Sequence, residues 1–348
     1  MSGLSLPSIH MHGSAASFFR ATFGRIPMSL PEMLQITLRQ GCTCLLCLRG
    51  ALARMKETFV REKGVLSLAV AYDPWHMQST TTQETFMPRS LLFAFTFLLF
   101  CSPVRAAEWQ ERPEIAAVFA GVNAQGTFVL YDLKADRFVG HNRERAEMRF
   151  VPASTFKIPN TLIGLSVGAI RDVDEVLPYG GKPQSVKAWE RDMSLREAIQ
   201  ISNVPVYQEL ARRIGLERMR TEVARLHYGN TEIGTVVDRF WLDGPLRISA
   251  VEQVRFLARL TAKELPVSAE AQAAVRDILL VEQTSEWSLF AKTGLALSVS
   301  PSVGWWVGWV EKSGRVYVFA LNMDMSPDSS PAVRIELGKA CLKALKVL

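Results

Sequence analysis

Apolar positions over residues 107–348 change their period twice. Thr127-Phe-Val-Leu-Tyr131 and Arg137-Phe-Val-Gly140, parted by the polar Lys134-Ala135-Asp136, have the composition and spacing of an antiparallel hairpin. From Ser154 to about Ala271 the spacing turns helical, with segments over Ser154 to Val167, Ser194 to Ser202, Pro205 to Ile214, Leu216 to Leu226 and Ser249 to Leu260. Strand-like runs return over Trp287 to Lys292, Val303 to Val310 and Arg315 to Asn322, the last two joined by a turn at Lys312-Ser313-Gly314. An amphipathic helix then closes the chain, opening near Pro331, a residue suited to a first helical turn, and running to Leu348. Strands, then helices, then strands and a helix predict an α+β fold: an antiparallel sheet built from both chain ends, flanked by helices, with an inserted all-helical subdomain. The sheet subdomain is expected over 107–153 and 271–348 and the helical one over 154–270, with no internal repeat.

Composition sharpens this picture. The 348 residues are 48% apolar and 21% charged, as in a packed globular protein. The net charge of +6 is uneven: residues 1–106 hold ten Lys+Arg against five Asp+Glu, whereas residues 107–348 hold 30 against 29, which removes the basis for a nucleic-acid partner. The excess lies around a leader. Arg89, the apolar run Leu91 to Phe100 and the small-residue pattern Val104-Arg105-Ala106 have the layout of a secretory signal peptide over 87–106, cleaved near Ala106. The run is about half the ~20 residues of a membrane-spanning helix, so a periplasmic or secreted protein without a stable membrane anchor is expected. Such a signal is read at an N-terminus, so residues 1–86 are expected to be an upstream extension outside the native protein. Their Cys42-x-Cys44-x-x-Cys47 lacks a fourth ligand for zinc.

Chemistry in 107–348 is constrained by what is scarce. Cys341 is the sole cysteine there, which excludes an intrachain disulfide, and His141 and His227 are the sole histidines, which argues against a multi-histidine metal centre and a Ser-His-Asp triad. Ser154-Thr-Phe-Lys157 opens an apolar helix, placing hydroxyl and amine one turn apart on one face. A helix N-terminus favours an alkoxide beside it. A lysine among Phe156, Ile158, Leu162 and Ile163 must be paired, neutral or modified. Ser202-Asn203-Val204 and Lys292-Thr293-Gly294 follow in order. Ser-x-x-Lys, Ser-Asp-Asn and Lys-Thr-Gly form a known signature of penicillin-recognising serine enzymes.

With these motifs, Tyr228-Gly229-Asn230, Phe240-Trp241-Leu242, Leu246-Arg247-Ile248-Ser249 and Gly304-Trp305-Trp306-Val307-Gly308-Trp309, the chain from about Glu108 to its end resembles the class D, or oxacillinase-type, serine β-lactamases. The resemblance implies hydrolysis of β-lactam antibiotics, and thereby resistance, through an acyl-enzyme on Ser154. Lys157 would be carboxylated by carbon dioxide to serve as general base, with no metal and no other cofactor. Trp241 would donate its indole N–H to the carbamate, while Val204 and Leu242 keep the pocket dry. Ser202, helped by Lys292, would pass a proton to the departing nitrogen. Lys292, Thr293 and Arg334 would bind the substrate carboxylate, Gly294 would let substrate approach the strand edge, and the backbone N–H groups of Ser154 and Leu295 would form the oxyanion hole. The protein would act as monomer or homodimer.

Trp305, Trp306 and Trp309 read as core aromatics, Tyr228-Gly229-Asn230 as turn chemistry, and Lys312-Ser313-Gly314 as a structural turn. Leu295 stands where the family often has an aromatic residue, which leaves the backbone N–H in place and changes the pocket wall. A membrane-tethered β-lactam sensor and a penicillin-binding peptidase are the rival readings; both would retain the acyl group or need an anchor.

Overall fold

The computed structural model describes residues 108–326 and 328–348. The expected leader over 87–106 and the expected upstream extension 1–86 lie outside the described residues. A seven-stranded sheet runs in the order β1-β3-β2-β9-β8-β7-β6. The hairpin expected near the start is β2 (Gly126–Asp132) and β3 (Arg137–His141), and β2 also pairs antiparallel with β9 (Arg315–Met325), which places both ends of the domain at the sheet centre. β8 (Ser302–Lys312) lies between β9 and β7 (Trp287–Ala296). The turn between β8 and β9 carries Ser313 and Gly314 at φ 50° and 70°, as its polar sequence requires.

Two edge strands escape the sequence pattern. β1 (Glu108–Glu111) pairs with β3 in parallel, so the sheet is not purely antiparallel. Its four residues are too few and too polar for an alternation to show. β6 (Leu280–Gln283), exposed throughout, flanks β7 at the other edge.

Alternation along the inner strands sends Phe128, Leu130, Trp306, Phe319 and Leu321 to one face and Val129, Trp305, Val307, Trp309 and Ala320 to the other. The first face is covered by α1 (Pro113–Gly121) and the closing helix α9 (Val333–Ala344). Pro331 precedes α9 rather than opening its first turn. Gly338 lets α9 lie close, because a methyl group there would sit 2.1 Å from the Trp306 ring.

The second face carries the helical part. After α2 (Arg143–Glu147) a 3₁₀ turn, Ala153–Phe156, runs straight into α3 (Lys157–Ser166), so the expected helix over Ser154 to Val167 has a tighter first turn. α4 (Leu195–Gln200) and α7 (Ala250–Thr261) open with capping boxes, Ser194 with Glu197 and Ser249 with Glu252. Between them lie α5 (Val204–Ile214) and α6 (Leu216–Arg225). α8 (Ala269–Ile278) packs against α3 and α4, so the expected boundary at 270/271 falls inside this helix. Two further strands, β4 (Val176–Leu177) and β5 (Met193–Ser194), pair apart from the sheet. Cys341 is free and buried, and burial pushes its thiol up to about 12.

Candidate active site

Four side chains from four elements converge at the junction of sheet and helices. Ser154 lies on the 3₁₀ turn, partly buried, while Lys157, at the start of α3, has no exposed surface. Lys157 Nζ donates to Ser154 Oγ at 2.8 Å. Burial, and then the charge of Lys292, hold the Lys157 amine well below its usual range. A neutral amine has a lone pair, so the same contact can also take the hydroxyl proton.

Across from this pair, Lys292 on β7 donates to Ser202 Oγ at 3.0 Å and to the carbonyl and Oγ1 of Thr293 at 3.2 Å each. Burial and the nearby Arg334 guanidinium bring Lys292 down to about 7, which makes it able to give up or accept a proton near neutrality. Ser202 sits in the turn between α4 and α5 at φ 58°, a region that costs a non-glycine residue about 1–3 kcal/mol. Arg334 reaches the site from α9. It is buried, its Nε and Nη1 have no partner, and its Cδ would lie 3.4 Å from a Cβ on Gly304, the residue paired with Leu295. A buried guanidinium with unused donors is suited to a carboxylate.

A family profile described as the penicillin binding protein transpeptidase domain matches residues 126–343. β-Lactamase OXA-48 of Klebsiella pneumoniae is 42% identical over 246 residues, 71% of this chain and 93% of that protein. β-Lactamase OXA-10 of Pseudomonas aeruginosa is 43% identical over 247 residues, 70% of this chain and 93% of that one. Among solved structures, FUS-1 (OXA-85), a class D β-lactamase from Fusobacterium nucleatum subsp. polymorphum, matches at 43% identity with a TM-score of 0.67 over 69% of this chain and 100% of its own. This chain belongs to the class D β-lactamases.

The other expected site residues of this class D β-lactamase fall as follows. Trp241 is fully buried, stacks on Phe156 with ring centroids 5.4 Å apart, and leaves its indole N–H without a partner. Val204 and Leu242 are partly buried, Leu242 against the main core cluster. Ser298 Oγ donates to the Leu242 carbonyl at 2.8 Å, tying the end of β7 to the loop that carries Trp241. Leu295 turns its side chain towards the α9 face of the sheet. Gly294 has a different surrounding from the one expected. A methyl group on it would sit 2.9 Å from the Pro152 carbonyl and 3.1 Å from Thr155 Cγ2, so its bare face admits the turn that carries Ser154.

Trp305, Trp306 and Trp309 are buried, and Trp305 Nε1 donates to the Val151 carbonyl at 3.0 Å. Gly229 stands at φ 57°, where a methyl group would meet the Arg247 carbonyl at 2.1 Å. Asn203, beside Ser202, points inward and caps α5 by accepting from Val206 N at 3.1 Å. Two buried groups near the lysine were not evident from motifs. The Tyr207 ring centroid lies 5.2 Å from Lys157 Nζ, and Gln253 Nε2 donates to Thr155 Oγ1 at 2.8 Å. Both occupy core-facing positions of amphipathic helices, and that was their available signal.

Proposed function

We propose that this protein hydrolyses the amide bond of β-lactam antibiotics through an acyl-enzyme on Ser154, and so confers resistance to them. The observation that carries the reading is the fully buried Lys157 amine at 2.8 Å from Ser154 Oγ, held well below its usual range by burial. Ser154 Oγ gives its proton to Lys157 as it attacks the lactam carbonyl, the C–N bond opens, and the Ser202 hydroxyl passes a proton to the departing nitrogen, replenished from Lys292. Lys292, Thr293 and Arg334 hold the substrate carboxylate, and the backbone N–H groups of Ser154 and Leu295 receive the oxyanion. Water then attacks the acyl carbonyl and returns the proton to Ser154.

The residues fit an N-carboxylated lysine. Carbon dioxide adds only to a neutral amine, which burial provides at Lys157. The unpartnered Trp241 N–H is a buried donor awaiting an acceptor, and Val204 and Leu242 keep water out. When carboxylated, Lys157 supplies the general base for both half-reactions. The Leu91 to Phe100 leader directs the protein to the periplasm, and no helix among the described residues is long and apolar enough to cross a membrane.

The test is turnover of a chromogenic cephalosporin and a penicillin by the purified protein, with and without added bicarbonate. Multiple turnovers that rise with bicarbonate and vanish in Ser154→Ala and Lys157→Ala are expected. One stoichiometric burst without further turnover would overturn the hydrolase in favour of a sensor or peptidase that retains its acyl group.

A further inference from the structure

Gln253 lies on the core-facing stripe of α7, 1% exposed, and no step of the proposed chemistry uses it. Both ends of its amide are engaged. Thr155 Oγ1 gives its single proton to the Pro152 carbonyl at 2.8 Å, so towards Gln253 it can only accept, and Gln253 Nε2 donates to it at 2.8 Å. At the other end the Tyr228 hydroxyl donates to Gln253 Oε1 at 3.3 Å. The amide therefore has one orientation. Tyr228, Gln253 and Thr155 donate in series, and the chain ends on the Pro152 carbonyl, two residues before Ser154. Thr155 and Tyr228 are fully buried, which leaves water no access to replace a lost link.

The turn that carries Ser154 needs such support. Ala153 stands at φ 48°, where a non-glycine residue costs about 1–3 kcal/mol and stays only if its surroundings hold it there. Trp305 fixes Val151, and Phe150 pairs with Ile248 just ahead of α7, N–H to carbonyl in both directions at 2.9 and 2.8 Å. Those contacts fasten the chain before the turn. Thr155 lies after Ser154 and before Lys157, so its displacement changes the relation between nucleophile and amine directly.

We infer that Gln253 is a positioning residue: through Thr155 it holds Ser154 Oγ at its 2.8 Å separation from Lys157 Nζ, with Tyr228 setting the orientation of its amide. The inference rests on Ser154 as the nucleophile. Gln253→Leu removes both hydrogen bonds at similar size, Thr155→Val removes the hydroxyl at constant shape, and Thr155→Ser restores it.

The experiment measures the rate constants for labelling of Ser154 by a fluorescent penicillin and by a fluorophosphonate, normalised to folded protein by circular dichroism. Gln253→Leu and Thr155→Val are expected to slow both labels by about 10- to 100-fold, with penicillin binding changed by less than about threefold. Thr155→Ser recovers to within about threefold of the parent. Parental labelling rates in folded Gln253→Leu and Thr155→Val would overturn the inference, as would a Thr155→Ser no faster than Thr155→Val. If Gln253→Leu fails to fold, the Thr155 pair decides. A parent protein labelled by the phosphonate and untouched by the penicillin would sink the β-lactam reading, while the phosphonate rates would still decide the role of Gln253.

Discussion

On the face of the sheet under α1 and α9 the helices bury Ile115, Phe119, Leu337, Cys341 and Leu342, joined by Arg334. On the opposite face Lys157, Asn160, Thr161 and Gln253 are buried among Leu162, Val206 and Leu257. An apolar interface gains free energy roughly in proportion to the area it removes from water, and it accepts many arrangements of the same volume. A buried polar interface is favourable only in the arrangement that satisfies its hydrogen bonds. The first face is therefore held chiefly by apolar burial, while the second, which carries the larger apolar cluster, adds a buried polar set that fixes a geometry. Ser154, Lys157 and Ser202 all stand on the side that fixes a geometry, with Lys292 reaching it from β7.

The sharpest way to break this contrast is Leu342→Ala on α9, a fully buried position. It is expected to lower stability by about 2–5 kcal/mol while labelling of Ser154 per folded molecule stays unchanged. Denaturant melts paired with single-turnover labelling check this, and a matching loss of labelling rate would mean that the two faces are not separate.

On the other side, Trp241→Phe keeps an aromatic ring on Phe156 and deletes the orphan donor. Loss of a hydrogen bond to a charged group is worth about 1.5–3 kcal/mol, so the bicarbonate concentration for half-maximal turnover is expected to rise about 10- to 100-fold. An unchanged bicarbonate requirement would remove Trp241 from the carbamate pocket.

Lys157→Met separates function from stability in the opposite sense. In the unfolded chain this lysine is protonated up to about 10.5, whereas burial holds the folded amine well below that, so between the two the unfolded chain binds more protons and parental stability climbs as pH rises towards 10.5. The inactive variant is expected to exceed the parent by about 1 kcal/mol at neutral pH, with the gap narrowing in alkaline solution. Thermal melts across pH 6–10 check the sign.

The smallest effect is a displaced pH limb. Lys292 is held down to about 7 by burial and by Arg334, so Arg334→Ala is expected to move the alkaline limb of kcat/KM upward by a fraction of a pH unit, besides weakening substrate binding. A limb that stays in place would show that Arg334 does not act on Lys292.

How much of this was legible depended on whether a residue announced itself within its own segment. The hairpin β2–β3, the helices opened by Ser194 and Ser249, and the spacing of Ser154, Lys157, Ser202 and Lys292 are local patterns, and each could be read along the chain. β1 and β6 could not, because a four-residue edge strand is made by its neighbour's hydrogen bonds and is too short for its own alternation to show. Gly294 was visible as a glycine, but that its empty side would face Pro152 depends on residues far away in sequence. Gln253 offered half a signal: it shares a helical stripe with Ala250, Leu257 and Leu260, and a glutamine in an apolar stripe implies a buried partner without naming Thr155.

The pairing of β2 with β9 has a further consequence for how the protein is made. The strand at the centre of the sheet waits for the last strand synthesised, so the emerging chain has no completed sheet until almost all of it has left the ribosome. The same topology makes the last strand indispensable: a stop codon just before Arg315 would release a product with every one of Ser154, Lys157, Ser202 and Lys292 but with β2 paired to β3 alone and β8 paired to β7 alone.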